Sequence, residues 1–179
     1  MTLRRLALAL VSSLAAGEAL AAPQVCNVKL NVTDQDPAGL NVRATPQGRV
    51  IGTLKAKGQW VQVDVVGAAG AWAQIRSATY MEKQPDPRGI VGINTSWDSP
   101  AAWVAFSKLG ISELDDRAFI RDAPAEGAKT LLVIDDGGDE AKLPPVEVLG
   151  CAGDFLKVRV KGVVGWTREF CSNEFTTCV

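Results

Sequence analysis

Alternating apolar and polar residues mark several short stretches of the chain, and this alternation predicts β-strands. The clearest run is 60–66, in which Val61, Val63 and Val65 alternate with polar or aromatic side chains. Because successive side chains of a strand point to opposite faces, the valines define a buried face and the residues between them an outward face. Further apolar runs, separated by turns that contain Gly or Pro, predict strands at 28–32, 40–43, 50–54 and 72–76.

A tight turn is predicted between the strands at 40–43 and 50–54. Residues 45–48 have the sequence Thr-Pro-Gln-Gly. Pro46 presets the backbone for a turn, and Gly48 can take a positive φ.

The same order of segments returns in the second half of the chain. Residues 118–124 (AFIRDAP) align with residues 40–46 (LNVRATP) at an offset of 78, which matches Arg43 with Arg121. Residues 146–149 repeat the middle strand, 60–66, and residues 155–160 repeat the strand that begins at Trp72. Residues 165–166 repeat the segment 102–104. Two copies of one small β unit therefore explain the length of the chain better than a single domain.

The segment 39–54, GLNVRATPQGRVIGTL, resembles the start of a bacterial Src-homology-3-like (SH3b) domain. Members of this family commonly carry an L-N-V-R-x-x-P segment followed by an apolar strand that ends in Gly-x-Leu. The family's closing Gly-Trp-Val pattern is present in outline, with Ala102 replacing the glycine in the first copy and Thr167 replacing the valine in the second. The resemblance implies an all-β fold of two tandem SH3-like barrels, built from short antiparallel strands, with a binding activity rather than a catalytic one.

Residues 1–21 have the features of a secretory signal peptide. Arg4 and Arg5 precede an apolar stretch at 6–14, and Ala19-Leu20-Ala21 provides a cleavage site of the usual type. The apolar stretch is too short to span a bilayer, and no later run is long and apolar enough to do so. We expect cleavage before Ala22 and a periplasmic or secreted protein; a buried N-terminal helix is the alternative.

The predicted organisation is a signal peptide at 1–21, a first SH3-like domain at 22–112 and a second, cysteine-containing one at 113–179. The first domain is expected to contain an insert of about 20 residues, because 31 positions separate Trp72 from Trp103 but only 11 separate Phe155 from Trp166. This insert, at about 77–100, lies in a hairpin connection that is usually short. Binding specificity often resides in such variable loops.

The chain has four cysteines, which predict two disulfides in an exported protein: Cys26, Cys151, Cys171 and Cys178. Three connectivities are open, and a zinc site is the alternative, although the chain lacks histidine and any C-x-x-C pair. The SH3-like topology implied by the resemblance would bring the end of the Cys151 strand near the strand before Cys171. It thus favours pairing of Cys151 with Cys171 or Cys178, and of Cys26 with the remaining cysteine.

Several classes of chemistry are disfavoured by the composition. The chain has no histidine and no Gly-x-Ser-x-Gly, phosphate-loop or His-Glu-x-x-His motif, so we expect no catalytic residues, no metal and no cofactor. The 17 basic and 19 acidic residues beyond residue 21 are scattered, which argues against a nucleic-acid partner. Four carboxylates can offer oxygen ligands to calcium, but their spacing differs from that of the known calcium loop and a solvated turn is the alternative: Asp135, Asp136, Asp139 and Glu140.

Aromatic residues are the candidate ligand-binding groups. Trp60, Trp72 and Phe155 fall on the polar faces of their predicted strands, where a ring can stack on a sugar or a proline. The insert adds Tyr80 and Trp97. The alternative is that these rings pack under the long loops or between the two copies. Two further tryptophans, expected to be structural, lie in the closing strands: Trp103 and Trp166.

The sequence therefore predicts a non-catalytic binding module of the bacterial envelope or exterior, with cell-wall peptide or glycan (peptidoglycan) or an envelope protein as its partner. A second hypothesis is an inhibitor or accessory subunit of an exported enzyme, with the 77–100 insert as the contact. A third is an enzyme without a recognised motif, which would require titratable groups that converge in a cleft.

Overall fold

The computed structural model describes residues 23–83, 90–96, 102–135 and 144–172. The expected signal peptide lies outside these residues. So do five of the residues singled out above: Trp97, Asp136, Asp139, Glu140 and Cys178.

The described residues form antiparallel β-strands and one short 3-10 helix at Phe106–Lys108, which confirms the predicted all-β class. The strands are, in chain order, β1 (Gln24–Val32), β2 (Leu40–Arg43), β3 (Val50–Leu54), β4 (Trp60–Ala69), β5 (Trp72–Lys83), β6 (Ile90–Ser96), β7 (Ala102–Ala105), β8 (Leu109–Gly110), β9 (Glu113–Leu114), β10 (Arg117–Arg121), β11 (Thr130–Asp135), β12 (Val146–Ala152), β13 (Phe155–Val160), β14 (Val163–Thr167) and β15 (Phe170–Cys171). Among these elements there is no helix with the length and apolar character that crossing a membrane requires.

The strand order repeats between the two halves of the chain. The larger sheet contains the path β3-β2-β7-β5-β4, and the smaller sheet has the order β11-β10-β14-β13-β12. The strands aligned in the sequence thus occupy equivalent places, and β3 and β11 are the equivalent edges. Neither path closes on itself through a pairing among the described residues.

The larger sheet has three additional strands. β1 pairs with β4, and the short β8 pairs with β1. β6 pairs with the second half of β5, from Ser77 opposite Ser96 to Lys83 opposite Ile90. The segment expected as an insert therefore includes a continuation of β5, whose residues up to Met81 also pair with β4.

The core consists of the inward residues of the alternating strands. Val61, Val63 and Val65 are at most 1% exposed, and Ala73 and Ile75 are equally buried, as the alternation predicted. In the second half, Leu156, Val158 and Val160 form the corresponding buried face of β13. Removal of this apolar surface from water is the main stabilising contribution to both sheets.

The turn at 45–48 differs from the prediction in the residue that takes the positive φ. Gln47 has a φ of 59°, whereas Gly48 is not in the left-handed region. Glycine is needed at position 48 for space, because a Cβ there would collide with Thr45 Oγ1 and lie 3.1 Å from the Thr45 carbonyl oxygen. The prediction located the turn correctly, and the glycine in it leaves space for Thr45 rather than taking a positive φ.

The disulfide pairing expected from the resemblance is also corrected. Cys151 is bonded to Cys26 rather than to Cys171 or Cys178, and Cys171 is itself disulfide-bonded. The reason is the position of β1, whose beginning lies against the turn between β12 and β13. The backbone N–H of Asn27 donates to the Gly153 carbonyl at 2.8 Å, and the Gly153 N–H donates to the Val25 carbonyl at 2.9 Å.

A second set of contacts joins the end of the described chain to the first half. Ser172 Oγ donates to the Lys29 carbonyl at 2.6 Å, and Gln62 Nε2 donates to the Ser172 carbonyl at 2.7 Å. The side of β4 that carries Gln62 was expected to face outward, yet Gln62 is only 9% exposed. Part of this face is therefore a contact surface between the two halves.

Candidate functional site

The aromatic residues that were predicted to bind ligand and that the structure describes do not form one surface. Trp60 and Trp72 lie at opposite ends of the β4–β5 hairpin, because Trp72 pairs with Ala69 while Trp60 pairs with Met81. Ala69 lies nine residue steps along β4 from Trp60, a distance of about 30 Å. Both indoles are half-buried.

Tyr80 and Phe155 are less accessible than predicted. Tyr80 pairs with the buried Val61 and packs against the core. Phe155, expected to point outward, is 9% exposed, which corrects that prediction. It lies at the start of β13, and β1 contacts this strand. Close to it, the backbones of Cys26 and Gly153 pair as an isolated β-bridge. Packing between the halves, the alternative considered above, is thus the better description of Phe155.

A set of four residues lies side by side across the first half, which we call the first row. Arg43 on β2 pairs with Trp103 on β7, Trp103 pairs with Gln74 on β5, and Gln74 pairs with Gly67 on β4. Side chains at directly paired positions project from the same face of a sheet. Gly67 leaves the space that Gln74 needs, since a Cβ there would lie 2.7 Å from Gln74 Oε1.

The second half contains the equivalent four residues, which we call the second row. Arg121 on β10 pairs with Trp166 on β14, Trp166 pairs with Lys157 on β13, and Lys157 pairs with Gly150 on β12. Each half therefore carries arginine, tryptophan, a long polar side chain and glycine in the same order across four strands.

In the first row, the arginine is associated with an aromatic ring. Arg43 Cζ lies 5.9 Å from the centroid of the Trp72 ring, and Arg43 Nη1 donates to the Gly48 carbonyl at 2.7 Å. Trp72 projects from the same face of β5 as Gln74, and the exposed Arg76 follows at a β-bulge between Ile75 and Ser77. Trp103 is only 5% exposed, in agreement with the structural role predicted for it. The accessible part of this site is therefore Trp72 together with the guanidinium of Arg43.

In the second row, the arginine is held by a carboxylate instead. Arg121 Nη1 and Nη2 each donate to Glu169 at 2.8 Å, and Thr167 Oγ1 donates to Glu169 Oε2 at 3.0 Å. Burial alone would raise the pKa of Glu169, but the hydrogen bonds from Arg121 and Thr167 and the charge of Arg121 together lower it to about 2. Burial and the neighbouring carboxylates of Glu169 and Asp116 raise the pKa of Asp115.

Aromatic rings on the second half also have cations beside them. Lys157 Nζ lies 5.8 Å from the Trp166 ring centroid, and Trp166 is half-buried. Arg117 Cζ and Arg121 Cζ lie 5.4 and 5.3 Å from the Phe119 ring centroid. Cations at such distances are attracted to the ring faces. Phe119 was not identified from the sequence, and Trp166 was assigned a structural role only.

Two further kinds of site were considered among the described residues, a metal site and a cavity. No group of three or more potential metal ligands occurs among them. A cavity of about 280 Å³ lies between residues 111–114 and 144–146, lined mainly by apolar residues with Ser112 and Glu113 as its polar members.

Comparison with known proteins provides no relative from which a function can be transferred. No family model matches the chain, and neither a curated protein nor a solved structure shows significant similarity to it.

Proposed function

We propose that this chain is a non-catalytic binding protein of the bacterial envelope or exterior, composed of two SH3-like (SH3b) domains, that recognises cell-wall peptide or glycan. The observation that carries the proposal is the first row with its adjoining Trp72, which combines a half-buried indole with the guanidinium of Arg43. The proposed binding groups are Trp72, Arg43 and Arg76.

This arrangement suits a ligand that has both a ring and a negative charge. An indole stacks on the apolar face of a sugar, and a guanidinium binds carboxylates through paired hydrogen bonds. Cell-wall material provides sugar rings and peptide carboxylates close together. An aromatic and a cation that lie against each other can therefore bind both parts of it.

The proposed location rests on the cysteines and on the N-terminal sequence. The Cys26–Cys151 disulfide is of a kind that persists in oxidising compartments. Residues 1–21 have the charge order and cleavage pattern of an export signal. Both features support a periplasmic or secreted protein.

Co-sedimentation with purified cell-wall sacculi tests the proposal. The chain from Ala22 is expected to pellet with sacculi, and Trp72→Ala is expected to weaken this binding by about tenfold or more, because a stacked aromatic anchor is lost. Trp60→Ala is the matched control, since it removes the same side chain at the other end of the β4–β5 hairpin. Circular dichroism establishes that both variants are folded.

The outcomes distinguish the alternatives. Binding lost in Trp72→Ala and retained in Trp60→Ala supports the proposal. Equal loss in both variants, or full binding by Trp72→Ala, contradicts the proposed site. If the wild type itself stays in solution, the cell-wall ligand is wrong.

A protein partner is the second candidate, and β6 favours it. Within the described part of the chain, this seven-residue strand pairs with β5 alone, so its other side is a sheet edge to which an extended segment of a partner can add. An inhibitor or accessory subunit of an exported enzyme would use this edge. Failure of the wild type to bind sacculi would make this candidate the stronger one.

A further inference from the structure

The two halves differ in which of their equivalent aromatic residues is accessible. In the first half the row tryptophan, Trp103, is 5% exposed, and the adjoining Trp72 is half-buried. In the second half the order is reversed, because Phe155, the counterpart of Trp72 in the repeat, is 9% exposed whereas the row tryptophan Trp166 is half-buried. Each half therefore presents a partly accessible indole at or beside its row, but from a different strand.

Trp166 has a cation beside it that is not neutralised by a carboxylate. Lys157 Nζ lies 5.8 Å from the centroid of the indole, near the outer limit of cation–ring attraction. Among the described residues Lys157 forms no ion pair, whereas two arginines on the same face of the sheet, Arg121 and Arg159, each do. In this part of the chain, the Lys157 ammonium is therefore a cation that remains available to an anion from outside the molecule.

The long polar side chain points in a different direction in each row. In the first row Gln74 lies over its glycine, since a Cβ at Gly67 would come within 2.7 Å of Gln74 Oε1. In the second row a Cβ at Gly150 would have, apart from its chain neighbours, only Lys157 Cβ within 4 Å, at 3.8 Å. Lys157 extends towards the indole instead. The second row thus places a cation against a ring, as Arg43 lies against Trp72 in the first half.

Apolar surface continues beside this indole. Val164 lies two residues before Trp166 on β14, on the same face of the strand, and is 39% exposed. The register of β13 against β14 is regular from Leu156 to Val160, so Lys157 and Trp166 are directly paired on that face. An indole, an exposed valine and an ammonium together suit a ligand that has an apolar ring face and a carboxylate.

We propose that Trp166, Lys157 and Val164 form a second site for cell-wall fragments that contain both a sugar ring and a peptide carboxylate, so that each chain binds two such units. This inference rests on the function proposed above, because it assigns the same ligand to the second half. The carboxylate binds the Lys157 ammonium, and the sugar ring packs against the indole and the valine. The Cys26–Cys151 disulfide joins the halves, so binding at one site keeps the other close to the same polymer.

The indole N–H signals in nuclear magnetic resonance spectra of the ¹⁵N-labelled chain from Ala22 test the proposal site by site. The titrant is the soluble disaccharide-peptide that a muramidase releases from sacculi, and the variants Trp72→Phe and Trp166→Phe assign the two signals. Both signals are expected to shift in the wild type. Lys157→Glu should weaken binding at Trp166 by about tenfold or more, because a carboxylate then faces the carboxylate of the ligand, and should leave binding at Trp72 within about twofold of the wild type.

Lys161→Glu provides the matched control, because it makes the same charge change at an exposed lysine about 13 Å further along the chain, and it should leave both sites unchanged. Circular dichroism establishes that each variant is folded. A Trp166 signal that does not respond to the titrant overturns the second site, and so does wild-type affinity at Trp166 in Lys157→Glu. The function proposed above stands in either case if the Trp72 signal still shifts, and it fails as well if the wild type stays in solution with sacculi.

Discussion

Glu169 and Arg121 form a partly buried ion pair in the second half. Their side chains are 18% and 10% exposed, and two hydrogen bonds join them. A partly buried carboxylate of this kind contributes to stability only while it is ionised. The same contact fixes Arg121 at the end of the second row, whereas Arg43 in the first row lies over Trp72.

The first residue-scale prediction concerns acid. The folded-state pKa of Glu169, about 2, lies below its ordinary value of 4.5, so its contribution is complete above about pH 4.5 and is lost as the pH falls towards 2. After a discount for partial exposure to solvent, we expect this contribution to be about 1–2 kcal/mol. Urea unfolding at pH 7 and pH 3 should show that the free energy of unfolding falls less in Glu169→Gln than in the wild type.

Asp115 must be included as a control in this experiment. Its pKa is raised, so its effect has the opposite sign, and it favours the folded state more as the pH falls. The comparison is therefore repeated in an Asp115→Asn background. An unchanged pH dependence in Glu169→Gln in that background would contradict the assigned role of Glu169.

The second residue-scale prediction concerns Gly165. A Cβ at this position would lie 2.6 Å from both the Arg121 carbonyl oxygen and Ile120 Cγ2, so β10 would have to move. Gly165→Ala should lower the free energy of unfolding by roughly 1–3 kcal/mol, measured by urea denaturation. Gly127→Ala is the control, because a Cβ there has no neighbour within 4 Å, and it should change stability by less than about 0.5 kcal/mol. Equal effects of the two substitutions would contradict the steric explanation.

At the scale of elements, alternation predicted the strands well but not where they end. The pattern located the inward Ala73 and Ile75 of β5, yet the strand continues to Lys83. Ala78, inside the expected insert, is 1% exposed and belongs to the core. The extra length relative to the second half, together with the prolines nearby, favoured a loop there. The pairing with β4 that makes this segment a strand is a long-range contact, which a local pattern does not contain.

The two rows show a similar limit to what the sequence pattern can predict. The repeat at an offset of 78 matched Arg43 with Arg121, and the closing-strand match aligned Trp103 with Trp166, so two members of each row could be identified as equivalent. Their juxtaposition depends on which strands are neighbours, since β2 lies beside β7 and β10 beside β14. Trp72, which adjoins the first row, was singled out from the alternation of its strand. Phe119 was not, because its exposure depends on the place of β10 in the sheet.

At the scale of the whole molecule, the link between the halves was the least predictable feature. Reasoning from each repeat separately favoured a disulfide within the second half, whereas the bond joins Cys26 to Cys151. The turn between β12 and β13 lies beside β1 because of the way the two halves pack together. No pattern within one repeat contains that information.

The corresponding prediction is that this disulfide provides much of the coupling between the halves. It joins residues 125 positions apart, and a covalent loop of that length restricts the unfolded chain strongly. The double variant Cys26→Ser, Cys151→Ser should lose roughly 2–5 kcal/mol in the free energy of unfolding, as measured by urea denaturation. The same measurement on this variant with reductant added gives the separate contribution of the disulfide formed by Cys171 to the free energy of unfolding. A loss below about 1 kcal/mol would mean that the contacts made by Asn27, Gly153 and Ser172 are sufficient to join the halves.

The same bond also determines how the molecule carries mechanical load. When the chain is pulled from its two ends, tension passes directly from Cys26 to Cys151 through the sulfur atoms. The residues between them are outside the path of the force, and they include the larger sheet from Cys26 onward, strands β10 and β11, and most of β12. A protein held at one end and pulled at the other would therefore extend only through its terminal segments and strands β13 to β15, while Trp72 and the first row bear no tension.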